Sequence, residues 1–285
     1  MYPCTHTPEE AEIKSIFAMI IKELYIYPVK SFAGIPIIRA TLLNTGFEFD
    51  RRWMVIDPHG EFITQRSCPQ MSLVQTSLEK NQLVLSTFGM DDIYVPCPSE
   101  NGQKTSVEVW GDKVNAIIHS DHINSWLSDA LGRECKLAYF PTSETRACDP
   151  QVAKEDDSTL FADGFPLLLT NHASLNDLNG RLDHPVDMKR FRPNIVFQGK
   201  NPFEEDEWRK IEINGIDLRF AQCCPRCSVP TVNPETGIIE GPEPIRTLSE
   251  YRTGSDGEVY FGINMIPEST GIVSVGNEIT IIHPS

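Results

Sequence analysis

Lys210-Ile211-Glu212-Ile213, then Asn214-Gly215, then Ile216-Asp217-Leu218-Arg219-Phe220 is the stretch that decides the fold. Apolar and polar residues alternate on both sides of the Asn-Gly pair, so each arm reads as a strand with one buried face. Asn-Gly is the preferred two-residue hairpin turn because both of its positions need positive φ. Working outward, strand signals dominate. Lys22 to Val29 is rich in Tyr, Ile and Val. Trp53–Ile56 and Glu61–Thr64 flank the turn Asp57-Pro58-His59-Gly60 and read as a hairpin. Further hairpins are expected from Leu73–Leu78 with Leu83–Ser86, and from Ser106–Trp110 with Lys113–His119 around Gly111-Asp112. Phe191–Phe197, Glu258–Ile263 and Ile272–Ile282 complete the expected strands.

Helices are few. Ile123, Trp126, Leu127, Ala130 and Leu131 recur at helical spacing and Gly132 stops the run. A second helix is expected from Ser174, with Leu175, Leu178 and Leu182 on one face, and a short one over Pro244–Tyr251. The fold class is therefore mainly β with some α (α+β), a barrel or sandwich with helices over its open ends. The polar, acidic stretch Asp149–Ser158 reads as a linker between two subdomains. It leaves an N-terminal extension over 1–20, a β-rich region over 21–148 and a second β domain over 159–285.

The 285 residues carry a net charge of −15. That balance excludes general binding to nucleic acid polymers or anionic membranes. No apolar run reaches the roughly 18 to 20 residues of a membrane span. Glu9, Glu10 and Glu12 fit neither a secretory nor a mitochondrial leader, so the expected location is cytoplasmic. The eight cysteines are then expected as reduced thiols.

Three of those cysteines crowd into Cys223-Cys224-Pro225-Arg226-Cys227, directly after the Asn-Gly hairpin. The pair Cys224/Cys227 can be a redox dithiol or half of a zinc site. A structural zinc needs four ligands, and no second such pair exists in the chain. A redox dithiol prefers a helix start, whereas this pair leaves a strand. A single thiolate ligand to a soft metal is the third reading, with Arg226 expected to help keep Cys227 ionised. Basic residues also gather near turns: Lys30, Arg51-Arg52, Lys189-Arg190-Phe191-Arg192 and Arg226. If they converge they form a pocket for a compact anion such as phosphate.

Four motifs stand in order along the chain: Tyr27-Pro28-Val29-Lys30-Ser31, Asp50-Arg51-Arg52-Trp53, Phe191-Arg192-Pro193-Asn194 and Cys224-Pro225-Arg226-Cys227, the last followed by Thr231-Val232-Asn233-Pro234-Glu235-Thr236-Gly237. Together they resemble the MOSC-domain family, nearest its amidoxime-reducing components and their bacterial relatives. The resemblance implies a MOSC β-barrel domain behind an N-terminal MOSC-associated subdomain. It implies a molybdenum–molybdopterin cofactor, independent of pyridoxal phosphate (PLP), with Cys227 as metal ligand and catalytic residue. It places the cofactor contacts on Lys30, Ser31, Arg51, Asp163, Gly164, Phe165, Arg192, Asn194, Pro225, Arg226 and Asn264. Pro225, Phe165 and Asn264 depart from the residues familiar at their positions, which puts those single contacts in question.

The implied activity is reduction of small N-hydroxylated compounds: amidoximes, hydroxylamines and N-hydroxylated nucleobases. The alternatives are a non-catalytic carrier or sulfur-transfer module for the cofactor, and a zinc or thiol-redox protein using Cys224 and Cys227. The chain has no G-x-G-x-x-G after a strand and no cysteine array for an iron–sulfur cluster. Neither NAD(P) nor such a cluster is expected in it. Electrons are expected from a separate haem or iron–sulfur carrier with its reductase.

Overall fold

The computed structural model describes residues 19–282 except Asn81, Ser99, Asn101 and Gln103. All but the last two residues of the expected 1–20 extension lie outside the described residues. Seven strands close a barrel: β1 (Met19–Ile26), β2 (Leu167–Asn171), β3 (Ile195–Gln198), β4 (Lys210–Ile213), β5 (Ile216–Pro225), β6 (Tyr260–Pro267) and β7 (Glu278–Ile281). Their order is β3–β2–β6–β5–β4–β7–β1, and β1 pairs back onto β3. An odd number of strands cannot alternate in direction all the way round, so one neighbouring pair must be parallel. That pair is β2–β3; the other six are antiparallel. A parallel pair needs a crossover connection, and it contains the helix His172–Asn179. Inward side chains such as Ile21, Leu24, Leu169, Phe197, Ile211, Leu218, Ile263 and Met265 fill the barrel. Closure removes the exposed edges on which strands of other chains could pair.

The first described strand thus belongs to a barrel otherwise built from residues 167–281, so the region expected over 21–148 shares its opening strand with that barrel. Ile35–Ile37 pairs with β1 and Arg39–Leu43 with Gly46–Phe47, and the later part of the region forms a four-stranded antiparallel sheet in the order Trp53–Ile56, Lys136–Tyr139, Asp112–Ile118, Lys104–Val109. A three-stranded sheet (Gln75–Glu79, Gln82–Ser86, Ile93–Val95) and helix Asp121–Leu131 join it. Val55, Met71, Leu83, Leu85, Ile117 and Leu127 form their common core. The helix buries Ile123, Leu127 and Leu131, and Gly132 caps it at φ 62° with its N–H on the carbonyls of Ser128 and Asp129.

Several elements differ from the sequence reading. Trp53–Ile56 pairs along its length with Lys136–Tyr139, and the hairpin expected with Glu61–Thr64 is a single bridge, Ile56 to Phe62. All four residues of that strand are buried, so it needs neighbours on both faces that an exposed turn cannot supply. The next hairpin turns one residue early, at Trp110-Gly111, both at positive φ, and Asp112 is already paired with Val109. Phe191–Asn194 is not strand: Met188–Phe191 is a 3-10 turn, Arg192 is left-handed at φ 56°, and β3 begins at Ile195. Pro193 has no N–H to give a ladder.

The second helix starts two residues early because the Asn171 side chain caps it at Ala173 N; Leu182 lies past its end but packs on the same cluster. The strand expected over Ile272–Ile282 is two. Gly271–Ser274 pairs with Arg39–Leu43, and a turn at Gly276 (φ 89°) precedes β7. The acidic stretch 149–158 is tied to the barrel by ion pairs of Asp157 with Arg219 and Lys154 with Glu268. No helix among the described residues is long and apolar enough to cross a membrane.

Candidate functional site

As β1 ends, the chain runs through Tyr27-Pro28-Val29-Lys30-Ser31 alongside Arg51-Arg52-Trp53. Arg51 N donates to Tyr27 O (2.8 Å), Trp53 N to Pro28 O (3.0 Å) and Lys30 N to Trp53 O (2.8 Å). This ladder brings Lys30 and Arg51, 21 positions apart in sequence, to one wall of a cleft. Ser31, Arg51 and Arg192 all hold left-handed backbone, at φ 72°, 46° and 56°. Each costs roughly 1 kcal/mol or more for an L-residue with a side chain. Such strain persists where the surroundings over-determine it, as at ligand sites.

The cleft holds about 1030 Å³ of empty space including its open mouth. Lys30, Ser31, Arg51, Asp163, Gly164, Phe165, Arg192, Asn194, Pro225, Arg226, Cys227 and Asn264 all line it. In a chain of net charge −15, the cleft collects Lys30, Arg51, Arg66, Arg192 and Arg226, with Asp163 the one acidic residue in its lining. This is the local inversion of field that attracts an anion.

Each cation is fixed by neighbours. Lys30 Nζ donates to Phe161 O (2.9 Å) and pairs with Asp163. Burial lowers its pKa, against the pull of Asp163. Desolvation works to raise the Asp163 carboxyl, but the charge of Lys30 and hydrogen bonds from Lys30 and Trp110 outweigh it and hold it well below the usual range. Arg51 donates to Asp50 and to the Arg192 carbonyl (3.1 Å). Arg192 Nη1 donates to Phe32 O (2.7 Å), while its Nη2 is buried with no partner. Burial, reinforced by Arg51, lowers Arg192 to about 10, still charged at neutral pH. The guanidinium carbons of Arg51 and Arg192 lie 4.4 and 4.3 Å from the centre of the Tyr27 ring. Such contacts stabilise cations that would otherwise repel. Gly34 is required beside that ring, since a Cβ there would sit 2.4 Å from Tyr27 Cε1.

The cysteine segment is shaped by two irregularities in the β5–β6 ladder. The register shifts between Phe220 and Gln222 and again between Cys223 and Pro225. Bulges re-aim side chains: Gln222, Cys224 and Cys227 line the cleft, and Cys223 lines a groove with Asp206, Arg252 and Tyr260 instead. Gly262 sits opposite at φ 76°, where a Cβ would meet Leu169 O at 2.8 Å. Cys227 is exposed. The Arg226 side chain is anchored beside it: its Nη1 donates to Cys224 Sγ (3.0 Å) and its Nη2 to Phe191 O (2.7 Å). Burial raises the Cys224 thiol, and Arg226 opposes that rise. Arg226 thereby ties the cysteine loop to the Phe191–Asn194 turn. Among the described residues no group of three or more His, Cys, Asp or Glu could hold a metal.

Asn194, in the cleft lining, also holds backbone. Its Oδ1 accepts from Leu168 N (3.1 Å) and its Nδ2 donates to Tyr25 O (3.2 Å). The amide therefore stitches β1 to β2 at the cleft floor. Sequence reasoning gave Tyr27 no role beyond its motif and gave none at the site to Thr64, Arg66, Trp110 and Arg146. Arg146 clamps the 160–163 loop through the carbonyls of Leu160, Ala162 and Asp163. The turn that carries Trp110 is legible in the sequence one residue late, at Gly111-Asp112.

Residues 18–134 match the family described as MOSC N-terminal beta barrel domain and residues 156–280 the MOSC domain. Mitochondrial amidoxime reducing component 2 of Homo sapiens is 32% identical over 275 residues, covering 91% of this chain and 82% of that protein. Mitochondrial amidoxime-reducing component 1 of Mus musculus is 31% identical, covering 92% and 82%. The molybdenum cofactor sulfurase of Arabidopsis thaliana is 31% identical, covering 89% of this chain but 34% of that protein. The chain belongs to the MOSC-domain family and is a relative of its amidoxime-reducing components and molybdenum cofactor sulfurases.

Proposed function

We propose that this chain is a molybdenum-cofactor-dependent reductase of N-hydroxylated compounds, supplied with electrons by a separate protein. The observation that carries the reading is one cleft with a cluster of oriented cations and an exposed thiol, Cys227. A molybdopterin carries a phosphate at one end and a metal-binding dithiolene at the other. The donor set fits both ends. Arg192 has a buried Nη2 without a partner and Arg226 a buried Nε without one, and an unpaired buried donor is costly until something accepts from it. Lys30, Arg51, Arg192 and Arg226 would hold the anionic groups, and Cys227 would ligate the metal, for which a thiolate is the matching soft donor.

When bound, the cofactor supplies the two-electron chemistry that removes the N-hydroxyl oxygen as water. The chain's own residues do the rest. The paired Lys30 and Asp163 orient each other, and Asp163 stays ionised, so it is not a proton donor. The Tyr27 ring keeps Arg51 and Arg192 fixed. Cys224 holds Arg226 rather than the metal. Protons come from solvent at the open mouth.

The plant sulfurase relatives support a second reading, a cofactor carrier or sulfur-transfer module using the same cleft. Steady-state turnover separates the two. Protein purified with its cofactor, given a chemical reductant and benzamidoxime, is expected to form benzamidine over many cycles. Cofactor present with no turnover above the reductant alone refutes the reductase reading.

A further inference from the structure

Four of the five cleft cations have fixed duties. Lys30 is paired with Asp163, Arg51 with Asp50, Arg226 with the Cys224 sulfur and the Phe191 carbonyl, and Arg192 is seated deep on Phe32 O. Arg66 is the exception. It is exposed and lines the cleft, and among the described residues its guanidinium has no carboxylate partner. Among the described residues its side chain hydrogen-bonds only to the Thr64 hydroxyl, 3.3 Å from Nε. Yet it is not loose: its guanidinium carbon lies 4.4 Å from the centre of the Trp110 ring.

Trp110 is itself built into place. It occupies the first position of a positive-φ turn, its Nε1 donates to Asp163 (2.9 Å), and Phe62 packs against it at 5.3 Å. The indole therefore seats Arg66 and limits the rotamer freedom that a long side chain loses on binding. With Nε given to Thr64, the two terminal nitrogens have no hydrogen-bond partner among the described residues, in a side chain that lines the cleft. Such a fork matches a carboxylate or phosphate. The cofactor phosphate would take the less exposed cations, and Arg66 is the one exposed cation of the lining, left open to a substrate.

We propose that Arg66, seated on Trp110, is a specificity-determining residue that selects N-hydroxylated substrates carrying an anionic group. The proposal rests on the reductase reading for its substrate class. The test compares benzamidoxime with 4-carboxybenzamidoxime in the wild-type protein and in Arg66→Gln and Arg66→Lys, all purified with cofactor.

A lost charge-assisted pair corresponds to about a tenfold change or more. The wild type is therefore expected to favour the carboxylate substrate by about tenfold or more in kcat/KM, a preference that shrinks as salt is raised. Arg66→Gln abolishes the preference with the neutral substrate changed less than about twofold and molybdenum content unaltered; Arg66→Lys keeps part of it. Calorimetric binding of 4-carboxybenzamidoxime without reductant reads the same contact apart from catalysis. If that binding weakens about tenfold in Arg66→Gln while no variant turns over either substrate, recognition stands and the reductase reading fails. Equal kcat/KM for the two substrates in the wild type, equal losses on both in Arg66→Gln, or loss of molybdenum in that variant overturns the proposal.

Discussion

Arg192→Ala separates cofactor binding from folding. In the folded chain Arg192 gives one bond to Phe32 O (2.7 Å), stacks 4.3 Å from the Tyr27 ring centre and keeps Nη2 buried without an acceptor. Truncation leaves the Phe32 carbonyl without that donor, which costs about 1 to 3 kcal/mol. It also removes a buried cation whose charge the surroundings disfavour, since burial has lowered it to about 10. The two effects oppose each other, so the cofactor-free protein should lose no more than about 1 to 2 kcal/mol, a few degrees in Tm for a chain of this size. Cofactor binding has no such offset. One charge-assisted bond to a phosphate contributes about 1.5 to 3 kcal/mol, or about ten- to over a hundredfold in affinity. The assay is molybdenum and pterin content before and after extended dialysis, with calorimetric Tm of the cofactor-free protein alongside. Full retention of both by folded Arg192→Ala refutes the assignment of this cation to the cofactor's anionic end.

Cys227→Ser should abolish reduction of benzamidoxime, because a hydroxyl is a harder and less acidic ligand. Cys224→Ser should keep most of it, and equal total loss in both variants points instead to a dithiol. Glu205 is fully buried beneath Ser174 and Asn171, and burial pushes its carboxyl from 4.5 to about 7, against the hydrogen bonds it accepts. Its folded-state pKa is raised, so the unfolded chain releases the proton first, and stability falls as pH rises between those values. At about 1.4 kcal/mol per pH unit the loss is about 3 kcal/mol. Glu205→Gln should flatten that slope in urea unfolding at about pH 5 and about pH 8, and an unchanged slope counts against the assignment. The chain with NADH and benzamidoxime alone should form no product, since no dinucleotide fingerprint is present. Product without an added carrier protein contradicts the need for an external donor.

The barrel was legible because its hairpins are encoded locally. Asn214-Gly215 has positive φ at both positions, as its turn type demands, and the strands on either side pair from Lys210 with Arg219 to Ile213 with Ile216. What was not legible depends on distant partners. Trp53–Ile56 pairs with a strand some eighty positions on, and the Phe191–Asn194 segment is an irregular turn whose shape depends on Arg192 adopting φ 56°. Lys30 and Arg51 converge through the ladder between Tyr27–Lys30 and Arg51–Trp53, and Arg192 joins them through the bond from Arg51 to its carbonyl; no spacing announces either. The motifs resembling a family singled out residues that line the cleft, but not what each touches. Arg226 meets Cys224 rather than Cys227, and Asn194 is occupied with backbone. Arg66, Trp110 and Arg146 belong to no motif, so only the fold brings them into view.

The most direct test of the account is metal and pterin content per chain, measured together on protein freshly purified from a host that makes the cofactor, for the wild type and Cys227→Ser. The account predicts molybdenum with a matching amount of pterin in the wild type, and loss of the metal in Cys227→Ser while the folded chain remains intact. Zinc in place of molybdenum, or molybdenum retained equally by Cys227→Ser, contradicts it.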